Sequence, residues 1–586
     1  MIMATISKRL LLSLFILIFI GISGFAQNNY PLEIRASIKA NQSKIDKTKY
    51  KKSFTTEIER TKAVQNVILQ LQAQSFVLAE IDSSFNKNNK KRVFISLNKK
   101  YTWRRLGKGN INPLVVSSIG FQENRFSGQD FNYFHLIEIE ESIIKHLENH
   151  GFPFASIRLD SIKIEQETIS AVLKLEQGPQ IHIDTIILTG YHSINPNYIY
   201  QLLDIKPGDL YNEEKINNVK AQLASMPFAH EKTAFLIEFS EDKALLKINL
   251  EKARNNVFDG IVGFQPKSSI DNKMILTGNL KLKLYNSFKR GEMLRLDWQS
   301  PGGGSQNLNV GFAYPYLFNT PIGIDYNFKL FKQDSNFINL RNKPGIRFII
   351  SGSDYIKVSA DFFSSTTLSK DLVNGIPSKT DVLDMKTRMG NLEANFIRFD
   401  YAFNPRKGWR IQLLAGYGSR EIVKQHDIKD SYYDSIPMNS QQIKLLANLE
   451  YFIPLFKRQT LRIWSMSEML KGNHLLTNEL FRIGGFSDFR GFNEESIYAS
   501  TYSILTLEWR LLLERNSFLS VFWNKAYVEN SSGNKTTYDQ PMGFGAGFSF
   551  QTKAGIFALS YALGQEMGNP IQFSQAKIHF GYMARF

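Results

Sequence analysis

Apolar and polar positions follow two rhythms along this chain, and the rhythm changes near residue 253. Before that point, apolar residues recur at helical spacing in some windows and at every second position in others. Helices are predicted over Ile58–Leu71, Phe134–Leu147, Pro196–Leu203 and Asn212–Leu223, and strands over Ile181–Leu188, Thr233–Phe239 and Ala244–Leu250. A repeat underlies this texture. Leu71-Gln-Ala-Gln-Ser-Phe76-Val-Leu-Ala79-Glu-Ile81 matches Leu147-Glu-Asn-His-Gly-Phe152-Pro-Phe-Ala155-Ser-Ile157 at a constant offset of 76, and Phe228 lies 76 residues beyond Phe152. Each unit predicts the order β-α-α-β-β, which buries one sheet face under two helices. The repeated Phe and Ala are read as core residues. The expected units are 27–100, 101–179 and 180–252, the first opening near Leu32–Ile38.

From 253 to 586 the helical spacing gives way to strict alternation. Leu280, Leu282 and Leu284 oppose Lys281 and Lys283; Leu294, Leu296 and Trp298 oppose Arg295 and Asp297. Trp409, Ile411, Leu413 and Tyr417 oppose Arg410 and Gln412; Leu505, Leu507, Trp509 and Leu511 oppose Thr506, Glu508 and Arg510. The last stretch sets Ile578, Phe580, Tyr582, Ala584 and Phe586 against Lys577, His579, Gly581 and Arg585. A soluble sandwich would also alternate, but with shorter strands. Strands of about ten residues with aromatic ends are those of an antiparallel transmembrane barrel. Lipid leaves no partner for an open edge, so such a sheet must close. Sixteen strand candidates fit between Val257 and Phe586.

The first residues change the picture of where the chain works. Lys8 and Arg9 precede an apolar run from Leu10 to Ile22, and Gly24-Phe25-Ala26 offers small residues for cleavage. Residues 1–26 therefore predict a secretory signal peptide. Export removes nucleic acid as the reason for the net charge of +17, which suits a bilayer or an acidic partner instead. The absence of cysteine excludes disulfides, thiolate metal sites and cysteine nucleophiles. The 75 aromatic residues argue against disorder.

Several short motifs remain. Arg482-Ile-Gly-Gly-Phe-Ser-Asp-Phe-Arg490-Gly491-Phe492 falls between the eleventh and twelfth strand candidates. Phe522-Trp523-Asn524-Lys525-Ala526 lies on the thirteenth. Gly543-Phe-Gly-Ala-Gly-Phe548 and Gly555–Leu563 form a glycine-spaced hairpin, and Asn404-Pro-Arg-Lys-Gly408 precedes the ninth strand. Together with the repeated modules, these resemble the BamA/TamA-like outer-membrane assembly family. Its periplasmic modules are called POTRA domains, and three of them before a sixteen-stranded barrel are closest in layout to TamA.

The resemblance implies that Arg490, Gly491 and Phe492 fold back into the barrel as a sixth extracellular loop. Arg490 then requires an acidic partner, for which Glu508 on the next strand is the candidate, in bidentate geometry. Asn524 and Ala526 stand where the family carries Asp and Gly, so Asn524 supplies no second negative charge. The resemblance also implies a lateral seam between the first strand, Val257–Phe264, and the last, Ala576–Phe586. Gly260 and Gly263 are expected to weaken pairing with Phe580, Tyr582 and Phe586, since glycine contributes little to a strand.

No nucleophile elbow, zinc-helix or phosphate-loop motif occurs, and no enzyme activity or cofactor is expected. His146 and His150, four apart on a predicted helix, are read as solvent-facing rather than metal-binding. The expected role is assembly and insertion of outer-membrane barrel proteins. The expected partners are unfolded clients, the lipid bilayer and an accessory protein that is periplasmic or anchored in the inner membrane. A two-partner-type polypeptide secretion channel is the alternative, and a passive porin or receptor barrel the second. Three modules argue against the former, and the large periplasmic region against the latter.

Overall fold

A computed structural model describes residues 30–87, 90–266, 274–302, 305–334, 336–368, 372–373, 376–377, 382–401, 404–486, 488–532, 536–552, 555–565, 568, 571, 573 and 576–585. The expected signal peptide and Phe586 lie outside these residues. The chain divides into two compact units. One holds the residues up to His182 together with Leu210–Glu213; the other holds Ile183–Asp209 and Glu214–Phe586.

The first unit contains two α/β modules. In the first, strand Tyr30–Ala36 pairs in parallel with Lys90–Ser96, and Glu80–Lys87 adds antiparallel on the far side. Helix Glu57–Ala73 starts where the Thr56 side chain accepts from the Glu59 amide, and it buries Val64, Val67 and Leu71 against Ile34, Val93 and Ile95. Only a four-residue helix, Gln42–Ile45, stands where the first of two helices was expected. The second module has the predicted pair, Pro113–Ser118 and Tyr133–Glu148, over strands Thr102–Gly107, Thr168–Glu176 and Ser156–Glu165.

The repeat marks how each long helix ends. The Phe76 amide donates to Leu71 O at 3.2 Å and the Ala79 amide to Phe76 O at 2.9 Å; Phe152 and Ala155 repeat this at 3.0 and 3.2 Å. The residue before each Phe, Ser75 or Gly151, has positive φ, as a helix-terminating turn requires.

A third module follows the same order: strand His182–Gly190, helices Pro196–Leu203 and Glu213–Ala224, then strands Ala229–Ser240 and Lys243–Lys252, with Lys243–Lys252 central in the sheet. Within the second unit it is bonded to the barrel's turns. Asn286 Nδ2 donates to Ser193 O at 2.9 Å, the Asn195 amide donates to Lys289 O at 2.8 Å, and the Tyr198 and Tyr316 rings meet edge-on at 5.4 Å.

The barrel has sixteen antiparallel strands. In order they are Val257–Pro266, Met274–Tyr285, Met293–Gly302, Ser305–Tyr314, Ile322–Gln333, Phe337–Ser351, Asp354–Thr367, Met385–Phe399, Gly408–Ile422, Asn439–Phe456, Gln459–Gly472, Thr501–Leu512, Phe518–Asn530, Met542–Gln551, Ile556–Gln565 and Lys577–Arg585. A short strand, Thr537–Asp539, also pairs with the thirteenth. Burial in the barrel wall is inverted. On the twelfth strand Thr506, Glu508 and Arg510 are buried while Leu505 and Leu507 lie on the outer surface. On the eighth, Asn391, Glu393 and Asn395 are enclosed and Leu392 is exposed. Only an apolar solvent makes that arrangement favourable. No helix among the described residues is long and apolar enough to cross a membrane.

Candidate functional site

The segment between the eleventh and twelfth strands, residues 473–500, turns inward as loop six. Strands Phe481–Ile483 and Ile497–Ala499 pair antiparallel as its stem. Its tip carries Phe489 and Phe492, stacked at 4.6 Å with planes 5° apart. Both are buried in an apolar cluster with Ile483, Tyr502, Ile504 and Val528. Ala526 belongs to this cluster, so the methyl that departs from the family's glycine is buried there.

Arg490 lies beside this cluster. Its Nη2 donates to Glu508 Oε2 at 3.0 Å, and its guanidinium sits 3.5 Å above the centre of the Phe522 ring. The bidentate pair expected from the sequence is replaced by sharing. Glu508 also accepts from Arg510 Nε at 2.9 Å and, more distantly, from Arg462 Nη1 at 3.4 Å. Arg462 Nε donates on to Glu450 Oε1 at 2.7 Å, and Arg510 Nη1 to Asn404 Oδ1 at 2.9 Å. One enclosed carboxylate thus holds three guanidinium groups, and Phe522 supplies the face that the carboxylate cannot cover. Removing it would leave three largely enclosed cations near one another, with only Arg462 keeping a second carboxylate in Glu450.

Asn524 meets the loop through its backbone rather than its charge: Nδ2 donates to Arg490 O across a long 3.4 Å. An ionised Asp could not make that bond. Gly491 has φ +102°, and a Cβ there would lie 2.7 Å from Leu563 O. A Cβ on Gly543 would lie 2.2 Å from Arg490 O. The glycine-spaced hairpin therefore lets the loop backbone rest directly on the fourteenth and fifteenth strands.

Sequence reasoning missed Arg462, Glu450 and Asn404. Arg462 and Glu450 are charged residues on inward-facing positions of the eleventh and tenth strands, so their alternation was the available signal. Asn404 was noted only as part of a turn.

At the seam the first and last strands are neighbours. The first strand is in register with the second over its whole length, Val257↔Lys283 through Pro266↔Met274. With the last strand, the described pairing consists of Val257↔Arg585 and Phe258↔Ala584. Gly260 and Gly263 lie beyond this stretch and face Leu280 and Thr277 of the second strand. Phe580 and Tyr582 are registered with Leu559 and Phe557 of the fifteenth strand. Loop six also reaches this strand, with the Phe486 and His579 rings 6.0 Å apart.

His146 and His150 stack at 4.1 Å, and the His150 ring nitrogen Nδ1 bonds the His146 carbonyl at 2.6 Å. Burial, and then the neighbouring His150, lower the His146 pKa. Among the described residues no group of three or more metal-ligating side chains converges.

The comparisons fit this geometry. Solved structures similar to the chain include CdiB from Acinetobacter baumannii, at 13% identity, covering 90% of this chain and 98% of that one, with a TM-score of 0.54. CdiB from Escherichia coli aligns at 12% identity over 90% of this chain and 97% of that one, also with a TM-score of 0.54. BamA from Haemophilus ducreyi lacking POTRA domains 1–3 aligns at 14% identity over 83% of this chain and 99% of that one, with a TM-score of 0.42. At these identities the CdiB likeness establishes the fold. No curated protein matches the chain in sequence. The Omp85 superfamily domain matches residues 286–586, a little over half the sequence and nearly the whole barrel. With its sixteen-stranded wall, inverted burial and inward-folded loop, the chain belongs to the Omp85 superfamily, whose barrels lie in the outer membrane.

Proposed function

We propose that this protein assembles and inserts client β-barrel proteins into the outer membrane, as a binding and folding machine rather than an enzyme. The modules stand in the periplasm and take up unfolded client, and the barrel opens between its first and last strands. The observation that carries this reading is the seam. Its described pairing covers two residue pairs, against ten between the first and second strands. An edge so little paired is a ready template for an incoming strand, which would replace a few backbone bonds with a longer run. Exposed edges in the modules support the first step. Ser156–Glu165 lies at one edge of its sheet, with Ile162 and Ile164 exposed along it. Strand addition at such an edge supplies affinity from the backbone and selectivity from alternate side chains.

Depleting the protein and taking inventory of the outer membrane tests the proposal. Loss of many barrel proteins is the expected result. Loss of one secreted polypeptide would instead identify a two-partner-type export channel, and altered small-solute uptake alone a passive pore.

A further inference from the structure

Loop six is tied to the barrel wall at a second place, which no sequence motif marks. Arg420, near the end of the ninth strand, has a fully enclosed side chain, and Glu479 in the loop is nearly as buried. Arg420 Nη1 donates to Glu479 Oε1 at 2.8 Å and to His474 O at 2.7 Å; its Nη2 donates to Asn473 O at 3.1 Å. Glu479 also accepts from Gln442 Nε2 of the tenth strand at 2.6 Å and from the Leu476 amide at 2.8 Å. The neighbouring Asn478 donates to Ser365 Oγ of the seventh strand at 2.7 Å, and its carbonyl accepts from Asn339 Nδ2 of the sixth at 2.8 Å.

This arm of the loop is therefore bonded to the sixth, seventh, ninth and tenth strands, whereas Arg490 and Gly491 lie against the twelfth to fifteenth. Leu476, at the start of the arm, is wholly buried among Leu383, Tyr433 and Ile436, which come from the segments after the seventh and ninth strands. Beside the arm lies a cavity of about 340 Å³, lined by Asn478 and Glu479 of the arm together with Arg341, Lys444 and Glu468 of the barrel wall. The arm forms a wall of that polar space.

A buried ion pair adds little net stability, because both charges give up hydration, but it strongly disfavours arrangements in which either charge is left alone. That is the behaviour of a latch. We propose that Arg420–Glu479 latches the arm of loop six over the lumen, and that releasing it opens a water path through the barrel while the Arg490–Glu508 contact stays made. The inference holds whether the barrel inserts or exports its client.

The test is single-channel recording on the full chain reconstituted in planar bilayers, with folding checked by heat-dependent mobility on gels. Glu479→Gln keeps the side chain's size and removes its charge. It is expected to raise the time spent conducting by on the order of 100-fold. Arg420→Ala should do the same, and Arg420→Lys should restore part of the closure. A folded Glu479→Gln barrel that stays as closed as the natural one would overturn the proposal. If Arg420→Ala fails to fold, Glu479→Gln decides the matter with the same two outcomes.

Discussion

In the first module Val67 and Leu71 are wholly hidden, and Glu59 and Lys62 face water. In the barrel Glu508 and Asn524 are hidden, and Leu507 and Val521 lie outside. The two regions use the same residue types, at helical spacing in one and at every second position in the other, with opposite outcomes. The difference teaches that the period of the pattern fixes which residues share a face, while the surrounding solvent decides which face is inside. It also places the costs differently. In a module, a lost methyl group leaves a void. In the barrel interior, a lost charge leaves its partners unpaired.

The sharpest way to break the comparison is at the shared carboxylate. Glu508→Ala should destabilise the barrel by about 3–5 kcal/mol, because Arg462, Arg490 and Arg510 lose their common partner. Urea unfolding in detergent micelles measures it, and a change under ~1 kcal/mol would show that the guanidinium groups are hydrated in place. Next comes a matched pair of exposed leucines. Leu507→Arg on the barrel's outer face should cost roughly 2–4 kcal/mol of membrane stability. Leu114→Arg, on an exposed module helix, should stay within about 0.5 kcal/mol. Equal effects from the two would erase the distinction between the regions. Phe522→Leu, which removes the ring under Arg490, should cost about 1–2 kcal/mol in the same unfolding assay.

The smallest effect lies in the first module. A hydrogen bond from Arg35, then one from Lys90, hold the Glu33 carboxyl at about 2 against an ordinary value of 4.5. A depressed carboxylate contributes stability above its unfolded pKa and loses it as pH falls from about 4.5 toward 2. Glu33→Gln should therefore flatten the acid limb of the module's stability profile between those values, by under ~1 kcal/mol because the group is partly solvated. An unchanged limb would mean that Glu33 titrates alike in the folded and unfolded chain.

Much of this architecture was legible because it is local. The strand faces follow from period-two alternation, and the repeat around Phe76 and Phe152 recurs because each long helix must close in the same way. Arg490 and Glu508 were found through a motif and an inward-facing position. What stayed hidden depends on register between distant strands. Arg420 meets Glu479 across 59 residues, and Asn404 meets Arg510 across 106, pairings set by how far each strand is offset from the next. The same offset ends the described seam pairing at Phe258, before Gly260 and Gly263, and seats Phe580 and Tyr582 against the fifteenth strand, a register that composition alone does not specify. The short first helix of the first module was also overestimated.

The central claim is that the seam is the working part, and the absence of native cysteine makes it directly testable. Phe258→Cys with Ala584→Cys places one thiol on each side of a registered seam pair. In vesicles carrying the full protein, insertion of an unfolded outer-membrane barrel should stop when the pair is oxidised and resume on reduction. Insertion at an undiminished rate through the cross-linked barrel would contradict the account.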